Sequence, residues 1–248
     1  MIALYVFWIR QVKKYMRSPA RVFGSLGQPI LFLVSLGFGL SGAVGQVGEV
    51  SYLDYLVPGI VGLTVLFSAM FSGIELISDR RFGFLRETLV APVQRIWIFL
   101  GMALGGATIA TLQGILVLVI SFLFGFTPVG FVGVLGGVGI MFLVALLFTM
   151  VGLALATQLR DFQSFPLIIN FIIFPLFFLS GAIFPLDSIP AALEVVTRLN
   201  PLSYGVDLLR SLMIGQAFFA EWVGLALLLA LIGGFLVLGN RLFNRLTM

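Results

Sequence analysis

Long apolar runs alternate with short basic segments along this chain. Six runs stand out: Val22–Ser41, Tyr55–Ile77, Ile96–Phe124, Phe131–Ala156, Phe165–Phe184 and Trp222–Asn240. A hydrocarbon layer about 30 Å thick takes roughly 20 apolar residues as a helix, so each run predicts one membrane span. The third and fourth are long enough to tilt or to run out into the interface. Lipid tolerates no irregular backbone, and the alternating ten-residue segments of a β-barrel do not occur. The pattern therefore predicts an all-α integral membrane protein with six transmembrane helices. Residues 1–248 read as one transmembrane domain, without a hydrophilic domain, a linker or an internal repeat.

Six spans place both termini on one side, and the cations say which. Arg10, Lys13, Lys14, Arg17 and Arg21 precede the first span, and Arg80, Arg81, Arg86 and Arg95 lie between the second and third. Arg160 follows the fourth, and Arg241 and Arg245 follow the sixth. The opposite side has only Arg198 and Arg210. By the positive-inside rule both termini are cytoplasmic, Gly83 faces the cytoplasm and Gly48 faces out. A cleaved leader would need an apolar core of only 7–15 residues, which the first span exceeds.

Three segments outside the spans carry patterns of their own. In residues 1–21, Arg10, Lys14, Arg17 and Arg21 follow i, i+4, i+7, i+11, with Leu4, Trp8, Val12, Tyr15 and Met16 opposite. That predicts an interfacial amphipathic helix, with cations at the headgroups of membrane lipids. In the loop Ser78–Arg95, Phe82, Leu85 and Leu89 make one apolar stripe on a short helix that Pro92 would end. Such a stripe among charges fits a contact with a partner or with headgroups. Residues 185–221 read as two short outer helices. Asn200 and Pro201 are the N-cap and first turn of the second, Gly215 closes it, and Asp207 and Arg210 are spaced to pair.

Composition narrows the chemistry. Apolar residues make up 60% and charged residues 10%, against about 25% charged in soluble domains. A soluble enzyme and a nucleic-acid-binding domain are both poor readings. Cys and His are absent, which removes thiolate nucleophiles, disulfides and imidazole acid–base chemistry. Lys13 and Lys14 are the only lysines and no glycine loop precedes them, so no P-loop is present. Glu75 and Asp54 stand at the two ends of the second span, which leaves no midplane carboxylate of the kind proton-coupled transporters use. The second span carries a polar row, Thr64, Ser68 and Ser72, continued by Glu75; the fifth carries Asn170, Phe174 and Phe178. These residues are either internal helix hydrogen bonds and packing or a weakly polar, aromatic route for an amphiphile. Gly101 with Gly105, and Gly133 with Gly137, have the spacing of close helix packing.

The order of these features resembles the ABC-2-type transporter permeases, especially the daunorubicin-resistance and lipo-oligosaccharide export branch. The resemblance covers essentially the whole chain. Its most specific parts are Phe174-Pro175-Leu176 through Ile189-Pro190, then Asn200-Pro201-Leu202-Ser203-Tyr204-Gly205-Val206-Asp207-Leu208-Leu209-Arg210, and Glu87-Thr88-Leu89-Val90-Ala91-Pro92. It implies a six-span subunit that pairs with a second permease copy, identical or related, and binds two cytoplasmic P-loop ATPase subunits. Those subunits would hold the ATP and magnesium; this chain would bind no cofactor. It further implies ATPase coupling through Arg80, Arg81, Phe82, Leu85, Arg86, Glu87 and Leu89. The substrate route would be lined by Thr64, Ser68, Ser72, Asn170, Phe174 and Phe178. An outer re-entrant segment would contain Asp187, Asn200, Pro201, Tyr204, Asp207 and Arg210. Export of a drug, glycolipid or lipid across the inner membrane is the implied activity. An ATP-independent transporter or a non-transporting scaffold remains the alternative.

Overall fold

The computed structural model describes residues 2–39, 42, 45–48, 50–84, 93–159, 161–185 and 191–245. Its elements are α1 (Ile2–Met16), α2 (Pro19–Gly39), β1 (Gln46–Val47), β2 (Val50–Ser51), α3 (Tyr52–Phe71), α4 (Gly73–Arg81), α5 (Arg95–Leu123) and α6 (Phe131–Gln158). They continue as α7 (Ser164–Phe178), α8 (Ala191–Leu199), α9 (Pro201–Ile214) and α10 (Glu221–Asn244). The strands form a small antiparallel hairpin, with Gln46 opposite Ser51 and Val47 opposite Val50. Sequence periodicity gives no hint of it. Among the described residues five helical stretches are long and apolar enough to cross a membrane: α2, α3 with α4, α5, α6 and α10.

α3 is the centre of the bundle. Leu56, Val57, Ile60, Val61, Val65 and Leu66 are fully buried along it. α2, α5, α6, α7 and α9 all touch it. A helix apolar on all sides belongs in such a position.

Glycines set how closely two of these pairs approach. At Gly101 an added Cβ would lie 2.7 Å from the carbonyl oxygen of Leu4, so α1 rests directly on the α5 backbone. At Gly133 it would lie 1.9 Å from the Leu212 carbonyl oxygen, where α9 crosses α6. Both belong to the small-residue pairs seen in the sequence, and close approach is their purpose.

The fifth expected span, residues 165–184, is not one helix. α7 has 15 residues, about 22 Å at 1.5 Å each, short of a 30 Å hydrocarbon layer. Pro175 lies inside α7 and has no N–H to give, which weakens its last turn. The Ser180 hydroxyl then donates to the Phe177 carbonyl, accepts from the Ala182 N–H, and Gly181 turns with φ +74°. The single helix expected over residues 2–21 also divides. Pro19 disfavours helical backbone at Ser18, so α1 ends at Met16 and Arg21 belongs to α2. The loop helix expected to carry Phe82 falls mostly outside the described residues: α4 prolongs the second span to Arg81, Phe82 and Gly83, at φ +80°, terminate it, and Phe84 is helical again.

Gly133→Val should lower the melting temperature of the detergent-solubilised chain, because overpacking at a rigid backbone contact costs about 1–3 kcal/mol or more. An unchanged melting curve would show that α9 does not need this approach to α6.

Candidate functional site

At the basic end of the bundle α1 and the start of α2 are tied to α4 by ion pairs. Arg10 pairs with Asp79, while Lys14 and Arg21 both reach Glu75 Oε1, at 3.4 and 3.0 Å. Both carboxylates are largely shielded from solvent, at 12 and 13% exposure, which limits screening by salt. The Arg10 guanidinium also lies over the rings of Phe84, at 4.2 Å, and Phe7. α1 is held from its other side by the Trp8 indole N–H, which donates to the Thr108 hydroxyl, and by Gln113, which donates to the Tyr15 hydroxyl. The face of α1 on α5 is thus Leu4, Phe7, Trp8, Gln11 and Tyr15, whereas Met16, expected in the stripe, is 62% exposed. The stripe shifts because Tyr15 meets the Gln113 amide of α5 and Gln11 packs against the bare backbone at Gly105, while Met16 lies off that contact.

The residues expected to touch a partner divide here. Arg80 donates to the carbonyls of Leu159 and Thr157 and so caps the end of α6. Arg81 is exposed and Phe82 is 82% exposed. Leu85, Arg86, Glu87 and Leu89 lie outside the described residues.

A cavity of about 500 Å³ opens behind the ion pairs, between α1, α2, α3, α4 and α5. The whole polar row of the second span lines it: Thr64, Ser68, Ser72 and Glu75. Gln11, Lys14 and Arg21 complete the wall at the basic end. Phe67 and Phe71 line it too, and the file continues outward, with Phe174 edge-on to Phe67 at 5.8 Å and Phe178 stacked on Phe174. Phe174 and Phe178 therefore adjoin the cavity without lining it, and half-buried Asn170 does neither. Phe162 lines it from the turn before α7. Asp161 shapes that turn by accepting from Ser164 and from the N–H of Gln163. These bonds hold its carboxyl below the usual range.

At the opposite end α9 grips the break after α7. The N-cap is as expected: Asn200 accepts from the Leu202 N–H, Pro201 opens the helix, and Gly215 closes it at φ +71°. Asn200 also donates to the Leu176 carbonyl, and Tyr204 to the Arg198 carbonyl. Asp207 and Arg210 do not form an ion pair with each other. Arg210 donates to the carbonyls of Tyr55, Gly181 and Ala182 and sits 3.7 Å from the Tyr55 ring. Asp207 accepts from the N–H groups of Phe218 and Phe219. Orphan backbone groups on either side outcompete the i, i+3 pair, since each unsatisfied group in an apolar layer is costly. Asp187 lies outside the described residues.

The family model described as "ABC-2 type transporter" matches residues 2–214. The chain belongs to that family. It is 32% identical to Nodulation protein J of Rhizobium leguminosarum bv. trifolii, over 79% of this chain and 75% of that protein. It is 27% identical to the "Putative transport permease ycf38" of Cyanophora paradoxa, over 98% of this chain and 88% of that protein. The corresponding Porphyra purpurea protein is 32% identical over 78% of this chain and 68% of that one. This chain is thus a multi-pass ABC-2 permease, a family whose members work with an ATPase.

In this permease the sequence reading missed the amides of the cavity. Gln113 stands mid-way along the 29-residue apolar helix α5, which was a legible signal. Gln11 was hidden because it lies between cations in sequence and faces inward only once α1 docks. Arg210→Leu should lower the folded yield and cost on the order of 3 kcal/mol or more, because the carbonyls of Tyr55, Gly181 and Ala182 each lose a donor. Arg210→Lys should recover part of that loss. Thermal unfolding in detergent checks both, and equal stability of all three proteins would remove Arg210 as the clamp.

Proposed function

We propose that this permease is the membrane subunit of an ATP-driven exporter that moves an amphiphilic or lipid-like substrate out of the cytoplasm or inner leaflet. A second permease copy, identical or related, completes the route, and two copies of a separate cytoplasmic ATPase supply ATP, magnesium and hydrolysis. The protein sits in the inner membrane with both termini in the cytoplasm. α7 together with its turn serves as the fifth of six crossings, α1 as the interfacial helix, and α8 and α9 as the outer re-entrant pair.

One observation carries this reading. Glu75 belongs both to the ion cluster that joins α1, α2 and α4 and to the wall of the cavity. A push on the exposed end of α4 at Arg81 and Phe82 is therefore delivered to the cavity by a rigid helix and two ion pairs. Closure of the ATPase pair would supply that push and switch the route from inward- to outward-facing. The aromatic, weakly polar lining supports an amphiphile as cargo, and the cations gathered at the α1 end support a cytoplasmic location for it.

An exposed aromatic at the centre of a protein contact carries on the order of 2 kcal/mol, so Phe82→Asp should weaken ATPase capture about thirtyfold while membrane insertion persists. Co-purification titrated with the ATPase reads this, and normal capture with normal stimulated turnover would exclude that surface. Because the chain has no cysteine, orientation is open to a direct test. An impermeant maleimide applied to intact cells should label Gln46→Cys and spare Arg81→Cys; the reverse pattern would invert the topology.

A further inference from the structure

α4 is fastened to its neighbours in two different ways. Toward α1 and α2 the ties are side-chain ion pairs, through Asp79 and Glu75. Toward α6 they involve the backbone. A Cβ at Gly73 would lie 2.4 Å from the Gly152 carbonyl oxygen, and one at Gly152 would lie 2.4 Å from that of Met70, so the α3–α4 junction rests directly on α6. Further along α4 the Arg80 guanidinium donates to the carbonyls of Leu159 and Thr157, at 3.1 and 3.3 Å. These oxygens belong to the last turn of α6 and its cap, where no further helical N–H follows to take them. The negative end of the helix dipole favours a cation there as well.

Before α7 the chain turns at Asp161, whose carboxylate accepts from the Ser164 hydroxyl and from the N–H groups of Gln163 and Ser164. Phe162 stands inside that turn and lines the cavity; among the described residues it is the one part of the wall that α1 to α5 do not supply. Phe165, in the first turn of α7, is fully buried and reaches back to α4, since a Cβ at Gly73 would lie 2.8 Å from its ring. α4 therefore holds the Phe162 turn from both sides, through Arg80 before it and through Gly73 after it. The cap of α6 thus comes from the helix whose exposed end, at Arg81 and Phe82, is open to a partner.

We propose that Arg80 is a positioning residue of the transport cycle: it makes the end of α6 and the turn carrying Phe162 move with α4. This rests on the reading that a partner pushes the exposed end of α4. Under that push the cavity changes on two sides by different means. Phe162 is dragged along, because bare-backbone contacts and two charge-assisted hydrogen bonds do not slide. α1 and α2 lag, because Lys14 and Arg21 hold α4 only through ion pairs of partly exposed side chains. The wall on the α7 side follows the partner, and the wall on the α1–α2 side parts from it.

The test uses Ser68→Cys, the single cysteine of the full chain in lipid nanodiscs, alkylated by a charged maleimide; Ser68 lines the same cavity as Phe162. Phe162→Ala should speed alkylation by taking the ring out of the wall. Arg80→Met, which keeps the stem and loses both bonds, should speed it about fivefold, the effect of one ordinary hydrogen bond on an equilibrium. Arg80→Lys should fall between. The deciding measurement is the double variant, in which Arg80→Met should add nothing once residue 162 is Ala, because it acts only through that ring. With Gln46→Cys as the single cysteine instead, at the far end of the chain's bundle, every background should react at one rate. Asp161→Ala, in an exposed turn, should match Arg80→Met and replaces it if that variant does not fold. No acceleration by Arg80→Met, or by Asp161→Ala in its place, would overturn the role. So would a double-variant effect equal to the product of the two singles, or a Gln46→Cys rate that rises in step. The assay needs no ATPase. A non-additive result in a chain that captures no ATPase would keep the Arg80 link and remove the drive, and additive rates beside intact capture would do the reverse.

Discussion

A helix that stops within an apolar layer leaves carbonyl oxygens that water does not reach, and in this permease one guanidinium takes them. Arg210 donates to the carbonyls of Gly181 and Ala182 just after α7 and to that of Tyr55 in the first turns of α3. The Tyr55 hydroxyl donates to the same Gly181 oxygen. Three elements distant in sequence thus share one polar node, and the backbone cannot shift at any of them without exposing a carbonyl. The flat, five-donor geometry of arginine suits this role better than an ammonium does. Because α9 carries Arg210 and lies directly on the α6 backbone at Gly133, the node fixes the register of α3 against both α6 and α7.

That register is what creates the cavity. With α3 held at its far end, its polar row faces the space left between α2 and α5, and α1 covers that space from the basic end. Two kinds of interaction therefore bound the site. At one end a desolvated arginine bonds the backbone, with little freedom to rearrange. At the other, the shielded Glu75 carboxylate holds Lys14 and Arg21 side chains that are themselves 45 and 51% exposed, so these pairs part more readily than bonds to buried backbone. The molecule is rigid where its chain reverses and yielding where a partner would push.

The apolar runs made most of this legible. The all-helical class, the long helices, the caps of α9 and the use of the paired glycines follow from spacing and residue type. What periodicity could not show is where a continuous apolar run is interrupted. Residues 165–184 are as apolar as a span should be, and the break at Leu179 depends on Arg210, whose donors compensate it from a different helix. The expected Asp207–Arg210 pair failed for the same reason: local spacing cannot weigh a partner three residues away against backbone groups 11 and 29 residues away that the fold brings in. In the site, the row Thr64–Ser68–Ser72–Glu75 was readable because it lies on one helix. Gln11 was not, since it faces inward only once α1 docks on α5, and Gln113, legible as a lone amide in an apolar run, meets its partner Tyr15 only in the fold.

Glu75 joins these two levels. As a single charge at the end of an apolar span it reads as a topology marker or as a candidate for proton coupling. In the folded chain it bonds Lys14 and Arg21 through one oxygen, and its other oxygen is buried without a hydrogen-bond partner. A carboxylate shared by two cations fastens two helices to a third. It is well suited to a mechanical role, in which the pairs are broken and remade by movement of α1 and α2 against α4. The arrangement of charges inside one protomer thus places a separable joint between α1, α2 and α4.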